Sequence, residues 1–274
     1  MNDTINYQSP KPAFDIGRVL NRTFGAIKNN LVSFLGASLI IMGIPMLIIG
    51  LYPLFIGTGG LLDGDTISEG AIMGIFGAAI ISGIFVMIGS IILQGALIFG
   101  AVADFNGRKA PLSECLSVAF RYFFPLLGLG ILVALGTMAG FIALIIPGIF
   151  IALGWSIAAP VLIVEGKGIT ESISRSWNLT KGYKRWILLL FIIITIISII
   201  ITAIITALTL VAGDPTTVML EGGSTTYHIL NAIFSALAQA ISTMISATGV
   251  AAVYYEIRQL KEGIGAESLA AVFD

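Results

Sequence analysis

Long runs of apolar residues without a single charged side chain are the feature that most constrains this sequence. One such run covers residues 70–103, which is 34 residues, whereas a helix needs only about 20 apolar residues to cross a bilayer. Charged residues make up 11% of the 274 residues, and the mean hydropathy is +1.01. A soluble domain carries about 25% charged residues. The sequence therefore predicts an all-α integral membrane protein and excludes a soluble globular enzyme.

The apolar runs predict one membrane domain, residues 1–274, built as a bundle of six transmembrane helices. The arm, the six spans and the tail are predicted at residues 1–30, 31–57, 70–103, 123–146, 149–164, 186–212, 227–255 and 256–274. A helix over the whole second span would be about 51 Å long, so it must tilt, protrude or break. Its weak points are Gly83, Gly89 and Gly95. Pro147–Gly148 predicts a tight hairpin between the third and fourth spans.

The placement of the basic residues predicts the orientation. All 14 lysines and arginines lie in four segments, at residues 1–30, 104–122, 165–185 and 256–274. The segments between these, on the other side of the predicted bundle, contain none. Because basic residues are retained on the cytoplasmic side, we predict a multi-pass protein of the cell inner (plasma) membrane with both termini cytoplasmic. The polar first 30 residues contain no apolar run typical of a cleavable signal peptide.

Three of the basic segments share a pattern that predicts an internal threefold repeat. Arg22 and Arg121 each lie ten residues after a proline, and Arg175 holds the corresponding position in the third segment. Apolar residues recur at helical spacing in each segment, which indicates short helices lying in the interface with an apolar face in lipid. We therefore expect three repeats, each an interfacial helix followed by a transmembrane hairpin. The alternative is that any basic loop between two spans looks amphipathic.

Acidic residues recur at the predicted cytoplasmic ends of the second, fourth and sixth spans. These acids are Asp104, Glu165 and Glu256. Arg22, Arg121 and Arg175 are expected at the same depth, and an arginine paired in bidentate fashion with a carboxylate orients both groups well. We therefore predict structural ion pairs between the two sets, which would fasten the interfacial helices to the ends of the hairpins.

The stretch between residues 147 and 186 contains the most specific sequence motifs. It contains Pro147-Gly148, Glu165-Gly166, Arg175-Ser176-Trp177 and Leu179-Thr180-Lys181-Gly182. This stretch resembles the YciC-like family and the related membrane domain of glycerophosphoryl diester phosphodiesterases. The resemblance implies a six-helix membrane unit with a short Pro-Gly hairpin. It does not carry the phosphodiesterase activity over, because thirty residues precede the first span and fewer than twenty follow the last, which leaves no room for a catalytic domain.

No constellation of catalytic, cofactor-binding or metal-binding residues is recognisable in the sequence. Cys115 and His228 are the sole cysteine and histidine, which excludes a disulfide framework and a multi-histidine metal centre. The net charge of −1 argues against nucleic acid as a partner. No span interior contains Asp, Glu, Lys, Arg or His, so Gln94 and Gln239 are the candidates for a polar core. Either they line a polar cavity or they form interhelical hydrogen bonds, and we favour the hydrogen bonds.

Basic residues around the third interfacial segment are candidates for contacts with lipid headgroups. They are Lys167, Arg175, Lys181, Lys184 and Arg185. Each basic group near an anionic leaflet contributes about 1 kcal/mol, although the same residues can also serve topology alone.

Together these features predict a non-enzymatic inner-membrane protein that organises membrane lipids or partner proteins at the cytoplasmic interface. Its partners would be lipids, another membrane protein or a second copy of the chain. The alternatives are a transporter or channel for lipid or a small neutral solute, and an accessory subunit of a larger membrane complex. A lipid enzyme with Glu165 or Glu256 as base is the least favoured of the alternatives.

Cysteine labelling of intact cells, in a Cys115→Ala background, tests the predicted orientation. Ser68→Cys lies in an acidic segment predicted to face outward, so we expect a membrane-impermeant maleimide to label it. Lys109→Cys is the control on the predicted cytoplasmic side, where we expect labelling only after the membrane is permeabilised. Labelling of Lys109→Cys in intact cells contradicts the orientation.

Overall fold

The structure, a computed structural model, describes residues 14–48, 62–63, 66–67, 69–212 and 225–263. Over these residues the chain is helical apart from one antiparallel pair of two-residue strands, Leu62–Asp63 and Thr66–Ile67. The helices are α1 Ile16–Asn29, α2 Leu31–Ile48, α3 Glu69–Phe105, α4 Leu112–Arg121, α5 Phe123–Ala143, α6 Ile145–Trp155, α7 Ala158–Glu165, α8 Ile169–Thr180, α9 Lys184–Ala212 and α10 Thr225–Glu262. Six segments are long and apolar enough to span a membrane, namely α2, α3, α5, α6 with α7, α9 and α10.

The second span is one continuous helix. α3 runs for 37 residues, and none of the three expected weak points breaks it. A Cβ at Gly89 would lie 3.2 Å from the carbonyl oxygen of Ile41, and one at Gly95 would lie 3.1 Å from Leu126. A Cβ at Gly83 would meet nothing within 4 Å. Gly89 and Gly95 therefore serve the close packing of α2 and α5 against α3.

The hairpin between the third and fourth spans turns at Leu144, which corrects the predicted turn at Pro147–Gly148. Leu144 has an extended backbone, with φ −168° and ψ 150°. Pro147 is the third residue of α6. The first N–H groups of a helix have no carbonyl partner within it, so a proline is tolerated there. A Cβ at Gly140 would lie 2.9 Å from the Cα of Gly148, so the two helices cross closely at this pair of glycines.

The fourth span is broken into α6 and α7 at residues 156–157. Pro160 explains the break, because a proline has no backbone N–H for the carbonyl of Ser156 and its ring would clash with that carbonyl in a continuous helix. The predicted span 149–164 therefore corresponds to two helices within Ile145–Glu165.

The first and last spans also differ from their predicted bounds. Residues 49–57 of the first predicted span lie outside the described residues. Within α2, Leu39–Gly43 form a π-helical turn. The last span continues as α10 to Glu262, seven residues beyond the predicted end, so part of the predicted tail is helix.

The buried core lies at one end of the bundle. It is formed by the last turns of α3, by α7 and by the last turns of α10, where Leu97, Val161 and Tyr254 are each at most 1% exposed. We call this the charged end, because Asp104, Glu165 and Glu256 also lie there at the ends of the same three helices. Away from it, large apolar side chains are exposed on the long helices, as lipid contact requires.

The short helices α1 and α4 bury small apolar residues in the protein, which corrects the expectation of an apolar face in lipid there, whereas on α8 Trp177 of the expected face is 38% exposed. Val19 and Ala26 on α1 and Ala119 on α4 are at most 1% exposed. The reason is the small size of the facing residues. A Cβ at Gly100 on α3 would lie 3.2 Å from the Sγ atom of Cys115, so α4 packs close against α3.

The short helices share one packing relation. α4 packs against α3 and α8 packs against α7, in each case the helix that comes just before it in the chain. α1, the first helix of the described residues, packs against α10. Since α10 is the last helix and α1 the first, this last contact brings the two ends of the described chain together. Short, long and long elements follow one another three times in chain order.

Gly136→Ala tests the packing of the α5–α6 hairpin. A Cβ at Gly136 would lie 2.2 Å from the Trp155 ring, and overpacking of this kind costs about 1–3 kcal/mol. We expect a correspondingly lower unfolding midpoint for the purified protein in mild detergent. Gly130→Ala on the same helix is the matched control, because its Cβ would meet nothing within 4 Å. Equal effects of the two substitutions contradict the packing.

Candidate functional site

Glu256 is the centre of an ion-pair cluster that joins α1 to α10. Its side chain is 1% exposed, and Arg18 Nη2 and Arg22 Nη1 lie 2.6 Å from its two carboxylate oxygens. Arg22 also donates to Gln259 Oε1 at 2.6 Å, and its guanidinium lies over the ring of Tyr255. The hydrogen bond to Glu256 raises the pKa of Arg18 above its ordinary value. One buried carboxylate is therefore neutralised by two arginines one helical turn apart.

Glu165 belongs to a closed ring of polar contacts that joins α7, α8 and α10. Arg175 Nε lies 3.1 Å from Glu165 Oε2, and the same guanidinium pairs with Glu262. Glu262 accepts from Arg258 at 2.9 Å, Arg258 donates to the Tyr254 hydroxyl at 2.7 Å, and that hydroxyl donates to Glu165 at 3.2 Å. Burial lowers the pKa of Arg175, but hydrogen bonds to Glu262 and Glu165 outweigh it, so that this pKa is raised overall.

The third expected pair is absent. Asp104 accepts hydrogen bonds from Asn30 Nδ2 at 2.9 Å and Asn29 Nδ2 at 3.2 Å, so the junction of α1 and α2 holds this acid instead of an arginine. Arg121 is exposed. It follows the buried Ala119 by two residues, about 200° around the helix, so its side chain leaves α4 on the face away from the core.

Sequence reasoning missed Arg18 as the second arginine at Glu256 and Glu262 as the second carboxylate at Arg175. Arg18 lies four residues before Arg22 on α1, and Arg258 lies four residues before Glu262 on α10. Both spacings place the two side chains on one helix face, and this is the signal that could have found them. The Arg258–Glu262 pair lies in the stretch predicted to be a tail, where helical spacing was not applied.

The five candidate headgroup contacts fall into two groups. Arg175 belongs to the ring, and Lys167 Nζ lies 4.0 Å from Glu165. Lys184 Nζ lies 3.3 Å from the centre of the Trp177 ring and donates to a backbone carbonyl of α6. These three are engaged within the protein. Lys181 and Arg185 are exposed and remain available to a headgroup.

A further basic pocket lies between α1, α2 and the segment before α4. Its volume is about 430 Å³, and its lining includes Lys28, Asn30, Ser33 and Lys109. Both lysines are exposed. They come from different basic segments, so sequence spacing alone does not bring them together.

Gln94 and Gln239 line one open groove between α3, α9 and α10. Its volume is about 1070 Å³, and ten of its sixteen lining side chains carry a hydroxyl or an amide and none is charged. Among the described residues, neither glutamine forms the favoured interhelical hydrogen bond: Gln239 reaches Thr243 on its own helix at 3.5 Å, and Gln94 has no partner. The favoured interpretation was wrong for these two residues, because both side chains face the open groove instead.

Sequence reasoning also missed the wall of this groove that α9 contributes. Its polar residues are Thr195, Ser198, Thr202 and Thr206. They recur at spacings of three and four residues, the period of one helix face, within a helix that is otherwise almost wholly apolar. That period is the signal that could have found them.

The close packing of α4 against α3 also determines the reactivity of the Cys115 thiol. The side chain is 3% exposed, and burial raises the pKa of its thiol to about 11. The thiol is therefore protonated at neutral pH and enclosed by α3 and α4, a setting in which a cysteine packs and does not react. Among the residues that the structure describes, no group of three or more His, Cys, Asp or Glu side chains is placed to hold a metal ion.

The comparison with known proteins gives one family match. Residues 130–256 match a family described as a domain of unknown function (DUF7847). No curated protein and no solved structure matches the chain. The matched segment includes Glu165, Arg175 and Glu256 but brings no activity with it, so the YciC-like assignment stays a prediction.

Glu256→Gln tests the cluster at the charged end. The substitution leaves two guanidiniums without their carboxylate, and because both arginines keep some access to water we expect a loss of about 2–3 kcal/mol of unfolding free energy. Glu114→Gln is the matched control, since the Arg108–Glu114 pair is equally short but 42% and 32% exposed, and such pairs contribute about 0–1 kcal/mol. Reversible unfolding in SDS measures both. Losses of equal size contradict a special role for Glu256.

Proposed function

We propose that this chain is a non-enzymatic, multi-pass protein of the inner (plasma) membrane that organises anionic lipids at its charged end. In this proposal the charged end faces the cytoplasm, together with both termini. The six apolar segments and their exposed apolar side chains support membrane insertion. The resemblance to YciC-like proteins is part of the same proposal, as a prediction about relatives.

The observation that carries the proposal is a surplus of unpaired cations at the charged end. Within the described part of the chain, seven lysines and arginines have no carboxylate within 4.0 Å. They are Lys28, Lys109, Arg121, Lys181, Lys184, Arg185 and Lys261. Lys184 and Lys261 donate to backbone carbonyls, whereas the other five are exposed and no carboxylate of the described residues neutralises them. An anionic leaflet attracts such groups by about 1 kcal/mol each.

The ion pairs contribute rigidity to this surface. The Glu256 cluster and the Glu165 ring hold α1 and α8 against the ends of α10 and α7. A basic surface whose helices are held in fixed positions loses little conformational freedom when it binds a headgroup. This is the respect in which the structural ion pairs serve lipid binding.

We also propose that the three units are related repeats. In support, Arg22 of the first unit reaches the acid that ends the third, and Arg175 of the third unit reaches the acid that ends the second. The same rule would pair Arg121 with Asp104, but Asp104 accepts hydrogen bonds from Asn29 and Asn30 instead. Two of three positions thus follow one cyclic relation.

A transporter for lipid or a neutral solute is the second candidate function. The observation that favours it is the uncharged polar groove beside Gln94 and Gln239. No feature of the described residues comparable to this groove favours a role as accessory subunit of a larger complex. Copurification of a stoichiometric protein partner in mild detergent supports it.

Native mass spectrometry of the purified full chain with added dioleoylphosphatidylglycerol tests the lipid proposal. Lys28→Gln/Lys109→Gln removes two cations from the basic pocket, and at about 1 kcal/mol each we expect about 30-fold weaker binding. Lys28→Arg/Lys109→Arg keeps both charges and is the matched control. Equal binding of phosphatidylglycerol and phosphatidylcholine by the unaltered chain contradicts the proposal, as does an unchanged affinity of the Gln variant.

A further inference from the structure

The groove between α3, α9 and α10 has the chemistry of a binding site for an uncharged molecule. α10 packs against α3 on one side and α9 on the other, so α10 forms the floor and the other two helices form the walls. Among the residues that the structure describes, the lining has no cation to balance a phosphate and no carboxylate to hold a metal ion or a proton. Recognition there depends on hydroxyl and amide groups between apolar edges.

Several polar groups in the groove have unused hydrogen-bonding capacity. Gln94 is exposed to the groove and has no partner among the described residues, which leaves an amide donor and a carbonyl acceptor free. Thr202 donates to the Ser198 carbonyl at 2.9 Å and Thr243 to the Gln239 carbonyl at 2.8 Å. The Thr202 hydroxyl remains free as an acceptor, and the Thr243 hydroxyl, which accepts from Gln239 at 3.5 Å, keeps one lone pair free. An unsatisfied polar group facing hydrocarbon is costly, so an occupant with matching groups gains affinity.

The groove lies deep in the bundle, away from the charged end. Its lining on α10 ends at Ala247, nine residues before Glu256, which is about 14 Å along the helix. On α3, Gln94 lies eleven residues before Phe105, or about 16 Å. The groove is thus separate from the basic pocket at Lys28, and its occupant would have its polar groups far inside the apolar zone.

The groove is long enough for an extended molecule. The lining on α9 runs from Ile194 to Leu210, about 24 Å, and the volume of the groove is about 1070 Å³. The groove is also open along Gln94 and Thr202, which are both exposed, so a lipid can enter from the side.

We propose that this groove binds one molecule of an uncharged lipid carrying a hydroxyl and ester carbonyls, of the diacylglycerol class. The Gln94 and Gln239 amides donate to the ester carbonyls, and the hydroxyls of α9 and α10 accept from the lipid hydroxyl. The apolar edges, which include Ile199 and Leu210, contact the acyl chains. The inference rests on the membrane insertion proposed above.

Binding of 1,2-dioleoylglycerol to the purified full chain tests the proposal, again by native mass spectrometry. We expect Thr202→Val to weaken binding about threefold and Gln94→Leu up to about tenfold, the range of single hydrogen bonds between groups in membranes. Both substitutions conserve volume, so the groove keeps its shape. Thr137→Val on α5 is the matched control outside the groove, and we expect no change. The unfolding midpoint of each variant shows that it is folded.

Two comparison lipids identify the chemistry that is recognised. Dioleoylphosphatidylglycerol adds a charge and trioleoylglycerol lacks the hydroxyl. In the Lys28→Gln/Lys109→Gln variant, which weakens the basic pocket proposed above for phosphatidylglycerol, we expect both to bind more weakly than dioleoylglycerol. Equal binding of all three, or variants that match the Thr137→Val control, overturns the proposal. A dimer that disappears with Gln94→Leu also overturns it, in favour of a second copy. Extraction of membranes at alkaline pH separates the two proposals: release of the protein contradicts membrane insertion itself, whereas retention without lipid binding contradicts this site alone.

Discussion

A buried carboxylate must be neutralised where it lies, and the architecture of this protein depends on how Glu165 and Glu256 meet that requirement. Both acids lie at the charged end, inside the most tightly packed part of the bundle. Their partners come from the short helices α1 and α8, so each ion pair also joins two elements. Because Arg22 reaches across from the beginning of the chain to its last helix, the same interaction closes the bundle into one unit. An isolated charge at either position would be destabilising.

The two ends of the bundle differ in how they are held together. At the charged end, α4 approaches α3 closely, because Gly95 and Gly100 leave room for it. Farther along, α3 and α9 stand apart and leave the polar groove. The rigid basic surface and the uncharged groove therefore lie at different positions along the length of the bundle. The proposed headgroup binding and the proposed neutral-lipid site draw on these different parts.

Sequence reasoning reached the elements more readily than their contacts. Long apolar runs predict membrane-length helices directly, and the six segments follow. The turn at Leu144 was missed because a proline in the first turn of a helix looks the same in sequence as a proline in a loop. The pairing of Arg22 with Glu256 and of Arg175 with Glu165 agrees with the expected sets. Arg121 departs from them because it points away from the face that α4 buries, and Asn29 and Asn30 hold Asp104 in its place.

The sequence by itself determined the helical class, the number of membrane-length segments and the concentration of basic residues in alternate connections, because these follow from local hydrophobicity and charge. Only the tertiary structure decided which residues meet. It turned apolar residues of α1 and α4 toward protein, gave Glu256 a second arginine, and brought polar stripes of three helices to one groove. These outcomes depend on close approach of helices far apart in the chain, and the size of the residue at each crossing governs that approach.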